Sequence, residues 1–114
     1  MVAAYYRHEF KQGENYTIDI DLRDSNGPIN TAGWTGASAL KTLDNAAPIG
    51  SDNQPIAFAV TFPTIGTVRF RLTPIKTAAL PAKRYLSDAL LMDASGTPAY
   101  YLDGDVIVRR SYTP

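Results

Sequence analysis

Two segments constrain what this chain can fold into. In Tyr16–Arg23, the residues Tyr16, Ile18, Ile20 and Leu22 alternate with Thr17, Asp19, Asp21 and Arg23. A β-strand turns successive side chains to opposite faces, so this segment has one face for a core and one for water. In Arg84–Met92 both faces are apolar: one register holds Tyr85, Ser87, Ala89 and Leu91, the other Leu86, Asp88, Leu90 and Met92. A small two-layer β domain buries one face of each strand. The second apolar face of Arg84–Met92 therefore calls for cover from outside the domain, and a protein partner is the first functional expectation.

Turn chemistry recurs at short intervals along the rest of the chain, which suits an all-β fold. Tyr5–Phe10 reads as a first strand and Asn15–Arg23 as a second, closed by the turn Asp24-Ser25-Asn26-Gly27. Pro28-Ile29-Asn30 continues briefly, Ala37–Leu43 is a strand of small residues, and Asp44–Gln54 is a loop. Ile56, Phe58, Val60 and Phe62 alternate with small and polar residues up to the turn Pro63-Thr64-Ile65-Gly66, and Val68, Phe70 and Leu72 alternate beyond it. Thr73 can cap a short helix that Pro74 opens and Pro81 stops. After Arg84–Met92 comes the turn 93–98. Tyr100–Asp103 and Asp105–Arg109 then form a last strand or pair, with Gly104 between them. The expected architecture is a single antiparallel β-sandwich over residues 1–114, immunoglobulin-like in general build, with seven to eight strands and one helical turn near 74–80. The disulfide-and-tryptophan signature of antibody-type domains is missing.

A chain of 114 residues is one domain and can bury one core without staples. It has no cysteine, so disulfides and Cys-based zinc sites are excluded. Its formal charge is zero, with the first half the more acidic and the second the more basic. No basic stripe suggests nucleic acid. Residues 1–6 carry neither a charged n-region nor an apolar run of signal-peptide length, and no segment approaches the ~20 apolar residues of a membrane span. The expectation is a soluble protein made in the cytoplasm.

No constellation for a reaction is visible, and neither is a cofactor motif. A nucleophilic triad needs a base beside its nucleophile, and the only histidine, His8, reads as a surface or half-buried structural residue. Asp19 and Asp21 share a strand face that reads as solvated rather than as an acid–base pair or a calcium site. Asp103-Gly104-Asp105 reads as a turn between strands rather than a calcium loop. Gly33-Trp34-Thr35-Gly36 lacks the lysine of a phosphate loop. Trp34 could stack on a sugar or base, although a lone tryptophan in a small sandwich is more often core. Tyr5, Tyr6, Tyr85, Tyr100, Tyr101 and Tyr112 lie toward the chain's ends and suit strands and interfaces alike.

An ordered set of landmarks runs through residues 10–108. It comprises Phe10-x-Gln12-Gly13-Glu14, Leu22-x-Asp24-x-Asn26-Gly27-Pro28-Ile29, Thr31-x-Gly33-Trp34 and Gly66-x-Val68-x-Phe70, followed by Thr77-Ala78-Ala79-Leu80-Pro81, Arg84-Tyr85, Asp88, Asp93-x-Ser95-Gly96 and Gly104-x-Val106-x-Val108. The set resembles the small immunoglobulin-like β-sandwich proteins of tailed bacteriophages, which include the N-terminal domain of baseplate upper proteins and stand-alone head, neck and tail modules. The resemblance implies a non-enzymatic virion protein in tail, baseplate or neck, whose partners are other virion proteins and copies of itself. A capsid decoration protein is the alternative, and a carbohydrate- or host-surface-binding module a further one. The family's Tyr-x-aromatic-Asp pattern places Tyr85, Ser87, Ala89 and Leu91 inward, with Ser87 and Ala89 smaller than usual. In the reversed register Leu86, Leu90 and Met92 fill the core together with Asp88, and a buried carboxylate costs several kcal/mol unless paired. The first register is preferred, and it makes Leu86, Leu90 and Met92 the candidate protein interface.

Overall fold

The computed structural model describes residues 2–50 and 52–111. Nine strands and one helix follow in chain order: β1 Val2–Lys11, β2 Tyr16–Asp21, β3 Arg23–Asp24, β4 Gly27–Pro28, β5 Thr35–Lys41, β6 Ala59–Thr64, β7 Thr67–Leu72, α1 Pro74–Ala79, β8 Arg84–Met92 and β9 Pro98–Arg109. One sheet has the order β1-β9-β8-β5, the other β2-β7-β6, and β3 and β4 form a small ribbon. The all-β sandwich with one short helix is as expected. Every pairing is antiparallel except β1 with β9, which runs parallel from Val2 opposite Tyr100 to Lys11 opposite Arg109.

The sequence reasons for these elements are local. β2 alternates half-buried and exposed residues throughout, as its period of two requires. β6 is the edge of its sheet and accommodates Pro63, whose missing amide hydrogen would break a central ladder. This strand starts at Ala59 rather than at Ile56, because the Phe58 amide donates to the Ser38 side chain at 2.9 Å instead of to a neighbouring strand. Thr73 caps α1 by accepting from the Lys76 amide, and Pro74 opens it. The buried Thr77 hydroxyl donates to the Glu14 carbonyl at 2.8 Å, which ties α1 to the β1–β2 turn. Beyond Pro81 the fully buried Tyr85 donates its hydroxyl back to the Pro81 carbonyl at 2.7 Å. That bond holds the start of β8 against the end of the preceding loop, much as a tyrosine corner does in β-sandwiches.

The core lies between the sheets, and its two walls are matched in size. On β8 and β9 the inward residues are Tyr85, Ser87, Ala89 and Leu91, and Leu102, Gly104, Val106 and Val108. The small ones among them, Ser87, Ala89 and Gly104, lie together. Facing them are Tyr16 and Phe70 of the other sheet and Phe58 just ahead of β6, and Tyr6 and His8 of the neighbouring β1 join these rings: the His8 ring lies 4.8 Å from Tyr6, 5.6 Å from Tyr16, 4.4 Å from Phe58 and 5.5 Å from Phe70. Large residues set against small ones let the two layers interdigitate. The cavity left between them is about 10 Å³, at the lower limit of room for one water. The preferred register of 84–92 is the one observed.

Two expectations are corrected here. Asp103-Gly104-Asp105 is not a turn but the middle of a continuous strand. Gly104 sits there because β1 crosses so closely that a Cβ would overlap the Tyr6 carbonyl oxygen. His8 is not at the surface: it is 4% exposed, with its Nδ1 hydrogen-bonded to the Tyr16 hydroxyl at 2.8 Å. Desolvation lowers its pKa from 6.5 to about 4. Burial likewise holds the Tyr16 phenol above its usual range.

Two predictions follow from this core. Gly104→Ala should cost about 3 kcal/mol, at the upper end for overpacking, because the obstacle is backbone; the urea midpoint reads the loss, and β1 amides should lose hydrogen-exchange protection first. The folded protein keeps His8 neutral where the unfolded chain protonates it, so its contribution is complete above pH 6.5 and lost as pH falls to about 4. The loss amounts to about 3 kcal/mol over that window. Denaturant titrations across this range should show the slope in wild type and not in His8→Phe. Asp19, Asp93 and Asp105, all held below the usual carboxylate range, contribute mainly below that window.

Candidate protein interface

The two outer faces of the sandwich differ in chemistry. On the β2-β7-β6 sheet, Thr17, Asp19 and Asp21 stand opposite Arg71, Arg69 and Thr67. Arg69 clasps Asp19 with two hydrogen bonds, at 2.8 and 3.1 Å, which raises the Arg69 pKa and lowers that of Asp19. Thr67 reaches Asp21 at 3.4 Å. This is a solvated, polar face, as the alternation in Tyr16–Arg23 implies.

The outer face of the β1-β9-β8-β5 sheet has an apolar end. Leu90 on β8 lies between Ala37 on β5 and Tyr101 on β9, and Met92 lies between Thr35 and Pro98. Leu86 lies between Lys41 and Asp105 and is 43% exposed. Leu90 and Met92 are half-buried by their own neighbours. All three candidate residues thus point outward, but they do not form one continuous patch. Leu86 is about 13 Å along the strand from Leu90, and Asp88 lies between them.

Asp88 faces Ala39 on one side and Asp103 on the other. The Tyr101 hydroxyl donates to Asp88 at 3.3 Å, and the nearby Asp88 charge raises the Tyr101 pKa. One strand over, Asp105 accepts from the Tyr5 hydroxyl at 2.6 Å and from Arg84 at 2.8 Å, and both bonds hold its carboxyl below the usual range. Glu9 takes Arg109 at 2.8 Å and Arg7 at 3.6 Å. The face therefore runs from apolar at Leu90 and Met92 to charged and paired at Tyr5, Arg84 and Asp105. Ala37, Tyr101 and Asp103 belong to this surface, yet nothing in their local sequence marks them; only the strand pairing brings them beside β8.

Trp34 is half-buried, 6.2 Å from Phe62 and 6.1 Å from Tyr100. Its loop and the β6–β7 turn enclose an open pocket of about 300 Å³, lined also by Thr31, Pro63, Thr64 and Ile65. It is neither fully core nor a free platform. Tyr112 lies outside the described residues. Among the described residues no group of three or more His, Asp or Glu side chains is placed to hold a metal ion, and no helix is long and apolar enough to cross a membrane. His8, the one imidazole, is committed to the core.

No protein-family model matches the chain, and no curated protein matches it. Its fold is similar to that of a solved structure, the N-terminal domain of phage TP901-1 ORF48, with a TM-score of 0.53 over 96% of this chain and 99% of that one, at 9% sequence identity. The expected likeness to a phage β-sandwich module is thus present in the fold, across nearly the whole of both chains.

Proposed function

We propose that this chain is a non-enzymatic structural module of a tailed-bacteriophage virion, an adaptor in tail, baseplate or neck that works through protein–protein contacts. The observation that carries this reading is the end-to-end likeness of fold to a phage protein domain. The contrast between the outer faces supports it, because one is polar while the other presents Leu86, Leu90 and Met92. A protein that works by being covered needs such a face and no reaction centre. Full burial is worth 1.5–3 kcal/mol per large apolar side chain. Since Leu90 and Met92 are already half-covered, docking on these three adds about 2–4 kcal/mol.

Capsid decoration would use the same surface on a different partner. Copy number separates the two, since closed rings in a tail or neck hold roughly six or twelve copies and a capsid shell hundreds. A second reading, a saccharide-binding module, draws on the Trp34 pocket, whose aromatic wall and Thr64 hydroxyl suit a sugar ring. Glycan-array binding abolished by Trp34→Ala would favour it, and an array without signal would remove it.

The adaptor reading is tested by replacing Leu86, Leu90 and Met92 together with serine. The variant should fold, because all three lie on the outer face, and it should enter particles at least about tenfold less than wild type. Quantitative mass spectrometry of purified particles reads the outcome, and wild-type incorporation would overturn the assignment of this face.

A further inference from the structure

The apolar outer face contains a charge that its own sheet does not neutralise. Asp88 on β8 stands directly opposite Asp103 on β9, and like charges in that position repel. The Tyr101 hydroxyl lies beside the pair: it donates to Asp88 at 3.3 Å, and both carboxylates raise its pKa. Neither carboxylate has an ion pair among the described residues. Nearby cations are engaged elsewhere: Arg84 with Asp105, and Arg7 and Arg109 with Glu9. Lys41 lines a groove of about 200 Å³ together with Leu86, Asp88 and Asp103, yet pairs with neither carboxylate.

We propose that this face receives a protein partner that presents a lysine or arginine between apolar side chains. The cation sits against Asp88 and Asp103, and the flanking apolar groups cover Leu90 and Met92 on one side and Leu86 on the other. Two carboxylates side by side suit a guanidinium or ammonium group, and the apolar rim excludes water and strengthens the bond. The geometry also disfavours a second copy of this chain as the occupant. Laid face to face about this centre, two copies bring carboxylates against carboxylates. The inference rests on the assembly-surface reading and adds the chemistry of the partner.

Particles assembled without this chain, titrated with the purified protein at low and high salt, test it. Wild type should bind, and bind less tightly as salt rises. The double variant Asp88→Asn/Asp103→Asn should fold with an unfolding midpoint at least as high as wild type, because the repulsion is gone. It should bind at least about tenfold more weakly at low salt, with little salt dependence left. If it binds as wild type does while the Leu86, Leu90 and Met92 triple serine variant does not, the cationic partner is overturned and the assembly surface stands. If neither variant loses binding, both are overturned. A purified wild-type chain that is a dimer in sedimentation, split by Leu90→Ser, overturns the choice of occupant.

Discussion

The fold depends on a fit between unequal walls. Ser87, Ala89 and Gly104 leave a hollow in one sheet, and it is filled by Tyr16, Phe58 and Phe70 from across the core together with Tyr6 and His8 from β1 alongside. Neither wall works alone. Aromatic rings of this size would not fit against another large-residue sheet, and the small residues would leave a void whose lining loses its dispersion contacts. The fit explains why β1, which carries Tyr6 and His8, lies so close to β9 that only glycine serves at position 104. It also explains why an imidazole is held neutral in the interior.

The same fit decides what faces outward. Once Tyr85, Ala89 and Leu91 are committed to the core, the intervening Leu86, Asp88, Leu90 and Met92 point away from it, and a slip of one residue would invert the whole set. On the opposite sheet Arg69 and Asp19, which stand opposite each other, pair directly. The β8 face leaves Asp88 and Asp103 side by side. The domain therefore has one mainly polar side and one side that presents apolar residues and two adjacent carboxylates, the side proposed above to meet a partner.

Local chemistry carried much of this into the sequence. The alternation in Tyr16–Asp21, the Thr73-Pro74 start and Pro81 stop of α1, and the limits of β8 are readable because each depends on neighbours a few residues away. The charge of Asp88 and the family pattern together favour the observed register of 84–92. The rest depends on partners far along the chain. Gly104 reads as a breaker, and its role in an unbroken strand needs Tyr6 beside it. His8 reads as a surface or half-buried residue because it lies near an end of the chain beside Glu9, while the rings that bury it include Phe58 and Phe70, fifty and more positions later. The opposition of Asp88 and Asp103 arises from strand pairing alone.

The parallel pairing of β1 and β9 has a mechanical consequence. The two strands run in the same direction side by side from Val2 and Tyr100 to Lys11 and Arg109. Residue 2 and residue 109 therefore lie at opposite ends of one ladder. Tension applied between them acts along the strands, so it shears the ladder and loads its hydrogen bonds together rather than peeling them apart one at a time. Such a ladder resists axial load, and Gly104, where a Cβ would overlap the Tyr6 carbonyl oxygen, lies inside the loaded pair.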